Sequence, residues 1–402
     1  MRPNIVILGS RFPLPLIKGD RVRLYHHIKV LSRVADIHLI CIEEDYPNNE
    51  DLEALRPFCK SMNIHVLSVA RRKKNIAMNM TTSMPMQVRY FFDEPIKQLI
   101  QCQIKELHPD HIFVQLIRMA PYVEGISDLV TGRMSEEGSR GAVSISIDYM
   151  DSMVLNDLAG SYLGNGIKKL LQGRERRLVK AYERQVFDWF DRHYIISERD
   201  KIHLDTEQRD HIEVLSNGVD TSYYALSTQG KSSLYDALFC GNMSYPPNIK
   251  AGQLIIDQLS GLCEEYQFVI AGANNAQLSN ATKPKNCTIL GYQDDMRAMY
   301  HGARLMVVPI FGGSGQQNKV LEAMACGLPS IVTSFVNEAI GAKEGVEVLI
   351  ADDMATFAKR INELLSQPEL YRSIQKAGRS FVEQRFDWHV NSKALIDALQ
   401  KT

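Results

Sequence analysis

Short apolar runs alternate with amphipathic stretches along almost the whole chain, and no other feature narrows the fold as much. In the first half the runs are Ile5–Leu8, Ile37–Ile42, Ile64–Val69, His111–Gln115, Val143–Ile147 and His193–Ile196. In the second they are Leu238–Gly241, Phe268–Gly272, Cys287–Gly291, Leu305–Val308, Ser330–Thr333 and Val348–Ile350. Runs this short and this apolar read as strands buried on both faces, and segments such as Val22–Leu31 and Ile96–Leu107 between them carry helical periodicity. Repeated βα units predict an α/β fold with doubly wound parallel sheets. With 402 residues the chain is long enough for two such domains. A strand from Ile212 into the Asn217-Gly218 turn, followed by the composition break Ser227–Ser233, puts the boundary at about 205–215, giving 1–210 and 211–385.

Ligands bind parallel sheets outside the carboxyl ends of the strands. Three runs in the second half end there in glycine, which allows close approach: Gly241, Gly272 and Gly291. After Leu305–Val308 the turn contains Gly312, Gly313, Ser314, Gly315 and Gln316, and a helix is predicted from about Gln317 through Asn318. Free backbone N–H groups and the positive end of a helix dipole make such a turn a seat for an anion. Lys319 in the first helical turns suits a phosphate, and Glu322 three residues on suits a ribose diol. Together they suggest a nucleotide.

In the first half, the loop after the first strand leads through Gly19 into a helix whose first turn holds Arg21 and Arg23, where guanidinium groups oppose the dipole unless an anion is present. Asp148 and Asp151 follow the fifth run, either as caps of the next helix or as partners of a sugar hydroxyl. Arg118, just beyond His111–Gln115, joins them as an acceptor-side candidate.

A net charge of −1 gives no global reason to expect nucleic acid. Seven cysteines without paired CxxC spacing read as reduced thiols, not as a disulfide framework or zinc site. No signal-peptide pattern and no run of about 18 apolar residues is present, so the expected location is the cytoplasm. The stretch 166–184 is basic, with Lys168, Lys169, Arg174, Arg176, Arg177, Lys180 and Arg184 against Glu175 and Glu183. It reads either as a solvated helix face or as a peripheral contact with the inner face of an anionic membrane, and Arg71–Lys74 is a second basic cluster.

The series Asn217-Gly-Val-Asp220, Phe239–Asn248, Val269–Gly272, Leu290–Asp295 and Lys319–Pro329 resembles the C-terminal domain of family 4 glycosyltransferases. Pro13–Arg23 and Asp148–Ser152 resemble a bacterial branch of that family associated with exopolysaccharide synthesis. The resemblance implies a GT-B fold: two facing Rossmann-like domains, an interdomain cleft, and a C-terminal helix at about 386–402 packing back on the first domain. It implies a retaining, metal-independent transfer of a sugar from a UDP- or GDP-sugar to a hydroxyl of a glycan or lipid-linked acceptor, with no cofactor. The catalytic candidates are Lys319 at the diphosphate, Glu322 at the ribose and Asp151 on the acceptor side with Asp148 and Arg118. The donor-binding candidates are Gly19, Arg23, Gly241, Asn248, Gly291, Tyr292, Gly313, Ser314, Gly315, Gln316 and Asn318, with Lys319 and Glu322. Ser314 stands where the family usually has a second glutamate, and Asn242–Asn248 where many members have an arginine and a lysine. Two other classes stay open: a GT-B sugar-nucleotide epimerase or phosphorylase-like enzyme, and a noncatalytic nucleotide-sugar-binding subunit.

Overall fold

A computed structural model of the chain describes residues 2–78, 82–126, 131–134, 140–153, 167–204, 206–227, 234–279 and 284–400. Gly166, at the start of the basic stretch, and residues 228–233 of the expected composition break lie outside them. Contacts divide the described residues into two units, one comprising those up to Leu215 together with Ser392 onward, the other Ser216–Asn391.

The first unit contains β1 (Asn4–Gly9), β2 (Asp36–Glu43), β3 (Ser61–Val66), β4 (His111–Gln115), β5 (Thr131–Met134), β6 (Arg140–Ala142), β7 (Ser144–Asp148), β8 (Arg192–Ile195) and β9 (Ile212–Val214). Seven of these form a parallel sheet in the order β3-β2-β1-β4-β7-β8-β9, and β5 and β6 pair separately as an antiparallel hairpin. Because side chains alternate across a strand, both faces of the sheet must be covered. Val6, Leu8, Ile40, Ile42, Ile112 and Val114 enter one core, while Ile5, Ile7, Leu39, Cys41 and Phe113 enter another. Helix α1 (Gly19–Leu31) sets Leu24, Ile28 and Leu31 against the second core, and α2 (Ile167–Phe187) sets Tyr182 and Val186 against the first. The strand expected at Ile64–Val69 is formed instead by Ser61–Val66, with Val69 opening a helix. It is an edge strand and only half-buried, so its polar residues did not mark it as a strand.

The described residues of the second unit form six parallel strands, β10 (Tyr235–Cys240), β11 (Phe268–Ala271), β12 (Cys287–Leu290), β13 (Ala303–Val308), β14 (Ser330–Val332) and β15 (Leu349–Ile350), in the order β12-β11-β10-β13-β14-β15. Around them are α3 (Pro246–Leu254), α4 (Met296–Gly302) and α5 (Asn318–Ala325). The helix expected at about 386–402 is divided at Ser392 into Trp388–Asn391, which belongs to the second unit, and α6 (Lys393–Gln400), which belongs to the first. Leu395 of α6 is fully buried in the core beneath α1. Among the described residues no helix is long and apolar enough to cross a membrane.

Candidate functional site

All strands of the second unit run parallel, so the loops after β10, β11, β12 and β13 open on one edge of its sheet. The turn after β13 bends through Gly313 at φ +132° and Gly315 at φ +69°, backbone that residues with a Cβ seldom adopt. The Ser314 N–H donates to the Tyr245 hydroxyl at 3.3 Å, and Ser314 and Gln316 are both buried. Helix α5 starts at Asn318, one residue beyond the position expected from the sequence, with Gln317 as its cap residue.

Lys319, half-buried in the first turn of α5, donates from Nζ to Asn248 Oδ1 at 2.7 Å and sits 4.8 Å from the centroid of the Phe239 ring. Asn248 is fixed in turn by donating from Nδ2 to the Asn242 carbonyl at 2.9 Å. A Cβ at Gly241 would lie 2.7 Å from Asn248 Nδ2 and 2.9 Å from Lys319 Nζ, so only glycine leaves room for this pair. Among the described residues no carboxylate comes within 4 Å of the Lys319 ammonium. Burial draws its pKa down to about 8, against the opposing pull of Cys240 and Glu322.

Glu322 accepts a 2.6 Å hydrogen bond at Oε2 from the hydroxyl of Tyr300 on α4, leaving Oε1 without a partner among the described residues. Burial pushes its carboxyl up, and the Tyr300 hydroxyl and the Lys319 ammonium limit the rise. Tyr300 is itself buried, with its hydroxyl 3.6 Å from Cys240 Sγ. Thus Gly241, Asn248, Gly313, Ser314, Gly315, Gln316, Asn318, Lys319 and Glu322 come together at one sheet edge. Gly291 and the exposed Tyr292 follow β12, on the same edge but beyond β11. Motif reading missed Tyr245 and Tyr300 as supports, since neither differs locally from a core aromatic.

The first unit corrects two expectations. Arg23 and Asp148, read as donor and acceptor contacts, form a fully buried two-point pair, Nε to Oδ2 at 2.6 Å and Nη2 to Oδ1 at 2.9 Å. Arg23 also donates to the Leu215 carbonyl at 2.7 Å, and Asp148 accepts from the Met150 N–H at 3.0 Å. The anion that Arg23 requires is internal, and Asp148 caps the turn at Met150 instead of the next helix. Arg21 likewise meets Glu43 at 2.9 Å.

Arg118 is half-buried, with Nη2 3.0 Å from Asp20 Oδ2, Nε 2.9 Å from Ser10 Oγ, and the guanidinium carbon 4.3 Å from the Phe91 ring centroid. Burial and the neighbouring Arg11 draw its pKa down to about 10, while Asp20 and Asp151 act to raise it. Asp20 also pairs with Arg11. Gly19 is exposed, and a Cβ there would meet Met150 Cε at 3.3 Å. Asp151 is half-buried within electrostatic reach of Arg118. Among the described residues no group of three or more His, Cys, Asp or Glu side chains could hold a metal ion.

Residues 235–367 match the family described as Glycosyl transferases group 1. Over 411 aligned positions the chain is 20% identical to an uncharacterized 44.6 kDa protein in the cps region of Klebsiella pneumoniae, covering 96% of both chains. Its fold is similar to that of sucrose-phosphate synthase from Thermosynechococcus elongatus, with a TM-score of 0.71 and 12% identity over 100% of this chain and 99% of that one. It is also similar to HepE from Anabaena in complex with UDP-glucose, with a TM-score of 0.68 and 12% identity over 100% of both chains. Two parallel-sheet α/β units and these neighbours give the chain a two-domain, Rossmann-like GT-B fold.

Proposed function

We propose that the chain is a retaining, metal-independent glycosyltransferase that moves a sugar from a UDP- or GDP-sugar to a hydroxyl of a glycan or lipid-linked glycan. The observation that carries this reading is the Lys319 ammonium: partly buried, aimed by Asn248, and without a carboxylate partner among the described residues. A partly buried cation without a counter-ion is a place where an anion gains stability on binding. It stands beside the glycine turn and the first N–H groups of α5, which suit a diphosphate. The free Oε1 of Glu322 suits a ribose hydroxyl.

The group 1 match and the UDP-glucose bound to HepE support a nucleotide-sugar donor. Retention and assignment to family 4 rest on the motif resemblance of Asn217–Asp220 and Lys319–Pro329. In this mechanism Lys319 and the turn N–H groups stabilise the charge that develops on the departing nucleoside diphosphate. Loss of one such donor lowers rate by about 10²–10³-fold in comparable oxyanion sites. Asp151 and Arg118 are the acceptor-side candidates. A lipid-linked acceptor fits the exposed Arg177, Lys180 and Arg184 of α2, and sedimentation with anionic liposomes tests that contact.

The direct test is thermal unfolding of the protein with UDP, GDP, ADP and their sugars, followed by a transfer assay on Lys319→Ala and Glu322→Ala. A ligand present at 100 times its Kd adds about 2.7 kcal/mol to stability, so the correct nucleotide stands out. Both variants are expected to fold and to lose turnover. A wild-type chain that responds to no sugar nucleotide refutes the proposal. Epimerised donor formed without acceptor, or donor binding with neither transfer nor hydrolysis, replaces it by one of the two alternatives.

A further inference from the structure

The loop that joins β9 to the second unit reaches the glycine turn through Asn217, a residue 99 and 101 positions from its partners. Its backbone N–H donates to Gln316 Oε1 at 3.0 Å, and its side-chain Nδ2 donates to Asn318 Oδ1 at 3.0 Å. Asn217 is buried, and its loop is pressed against Trp388, which a Cβ at Gly218 would meet at 2.5 Å. The backbone N–H can only donate, so it fixes the Gln316 amide with its oxygen toward Asn217, and the bond from Asn217 Nδ2 places the Asn318 amide the same way round. The carbonyl oxygens are held, and the NH2 groups are turned away.

Neither NH2 group has a hydrogen-bond partner among the described residues. Gln316 is more than nine-tenths buried, and its Nε2 has no hydrogen-bond partner among the described residues. Asn318 Nδ2 has none among the described residues. A buried donor left unmade costs about 1–3 kcal/mol, so the Gln316 NH2 calls for a partner that is absent from the free chain, and the half-buried Asn318 NH2 beside it is open to the same partner. Two N–H donors on Gln316, two on Asn318 and two remaining on Lys319 lie in four consecutive residues at the start of α5. No acidic residue occurs between Phe311 and Lys319, and the carboxylate of Glu322 is already engaged at one oxygen by Tyr300. The turn is rich in donors and poor in acceptors.

We propose that Asn217 is a positioning residue that presents the amide NH2 groups of Gln316 and Asn318 to the phosphate oxygens of a bound nucleoside diphosphate. Neutral amides then share with Lys319 the binding of a polyanion, and specificity for phosphate over a ligand without it arises partly from side chains that carry no charge. This assignment rests on the donor-site reading above.

The experiment measures affinity for UDP, GDP and ADP by isothermal titration calorimetry in wild type, Gln316→Glu, Asn318→Asp, Gln317→Glu and Asn217→Ala. Gln316→Glu and Asn318→Asp keep the oxygen that Asn217 holds and replace the NH2 group by a second oxygen. Each is expected to raise the Kd of the best-binding diphosphate by about tenfold or more, the loss of one charge-assisted hydrogen bond. Gln317→Glu adds the same charge to the same turn at a side chain Asn217 does not hold, and is expected to cost less than threefold. Asn217→Ala introduced into the Gln316→Glu/Asn318→Asp background should cost no further affinity, because its effect passes through those two residues. Unchanged affinity in the two isosteric variants, an equal loss in Gln317→Glu, or a full additive loss from Asn217→Ala in that background overturns the proposal. A wild-type chain that binds none of the three diphosphates overturns the donor-site reading itself, and this assignment with it.

Discussion

If Lys319 is the cation that meets the diphosphate, nucleotide affinity must follow its protonation. Its pKa of about 8 in the free protein lies well below the ordinary 10.5 of lysine because burial disfavours the charged form. A bound polyanion favours that form, so binding lifts the pKa and takes up a proton wherever the free side chain has lost one. At pH 7 about nine in ten free molecules carry the charge, and at pH 9 about one in eleven. Affinity should therefore fall about tenfold between those values, or about 1.4 kcal/mol, steepening toward a further tenfold per unit above pH 9. The phosphate itself does not contribute to this window, since its second ionisation lies near pH 6.

Calorimetric titration of wild type and Lys319→Arg with the same nucleoside diphosphate isolates the effect. Arginine stays charged throughout. Any titration of the base cancels in the ratio of the two dissociation constants. Repetition in buffers of different ionisation enthalpy reads the proton uptake directly. A wild-type Kd that is flat from pH 7 to 9, or a ratio to Lys319→Arg that does not change with pH, refutes the reasoning.

Three further outcomes follow from contacts described above. Asp148→Asn leaves the buried Arg23 guanidinium without its counter-charge and is expected to cost about 3–5 kcal/mol of stability, read by denaturant unfolding. Tyr300→Phe removes the hydroxyl that holds Glu322 Oε2 and should weaken nucleoside diphosphate binding about tenfold, while adenine, uracil or guanine preference stays as in wild type. Gly241→Ala puts a methyl group where Asn248 and Lys319 meet, so nucleotide affinity should fall by more than the thermal midpoint suggests, and an unaltered Kd would show that the pair is dispensable.

The parallel sheets were legible because each strand is a few consecutive apolar residues, a pattern the chain carries locally; His111–Gln115 coincides with β4 from end to end. The edge strand β3 was misplaced because one partner suffices to hold it and its sequence is free to be polar. The glycine turn was legible because Gly313, Lys319 and Glu322 lie within ten residues. Arg23 and Asp148 were misread because a charge in sequence does not announce its partner, here 125 residues away, and pairing alone separates a core ion pair from a ligand contact. Tyr245, Tyr300 and Asn217 act across the fold at separations of 22 to 101 residues, a relation that no periodicity records.

Leu395 has a consequence for how the chain is made. It sits fully buried in a core whose other members, its neighbour Ile396 apart, come from residues before 216, so the first unit is discontinuous in sequence and this piece is synthesised only after the whole of the second unit. At about 5–20 residues per second, the 180 residues between Leu215 and Leu395 take roughly 9–36 s to appear. Throughout that interval the unit that emerged first has its sheet and helix α1 but an unfilled apolar site, worth about 1.5–3 kcal/mol when leucine occupies it. The first unit is therefore completed only after the second has been made, and the window in which it is open to chaperones or to misassociation is set by the length of its neighbour.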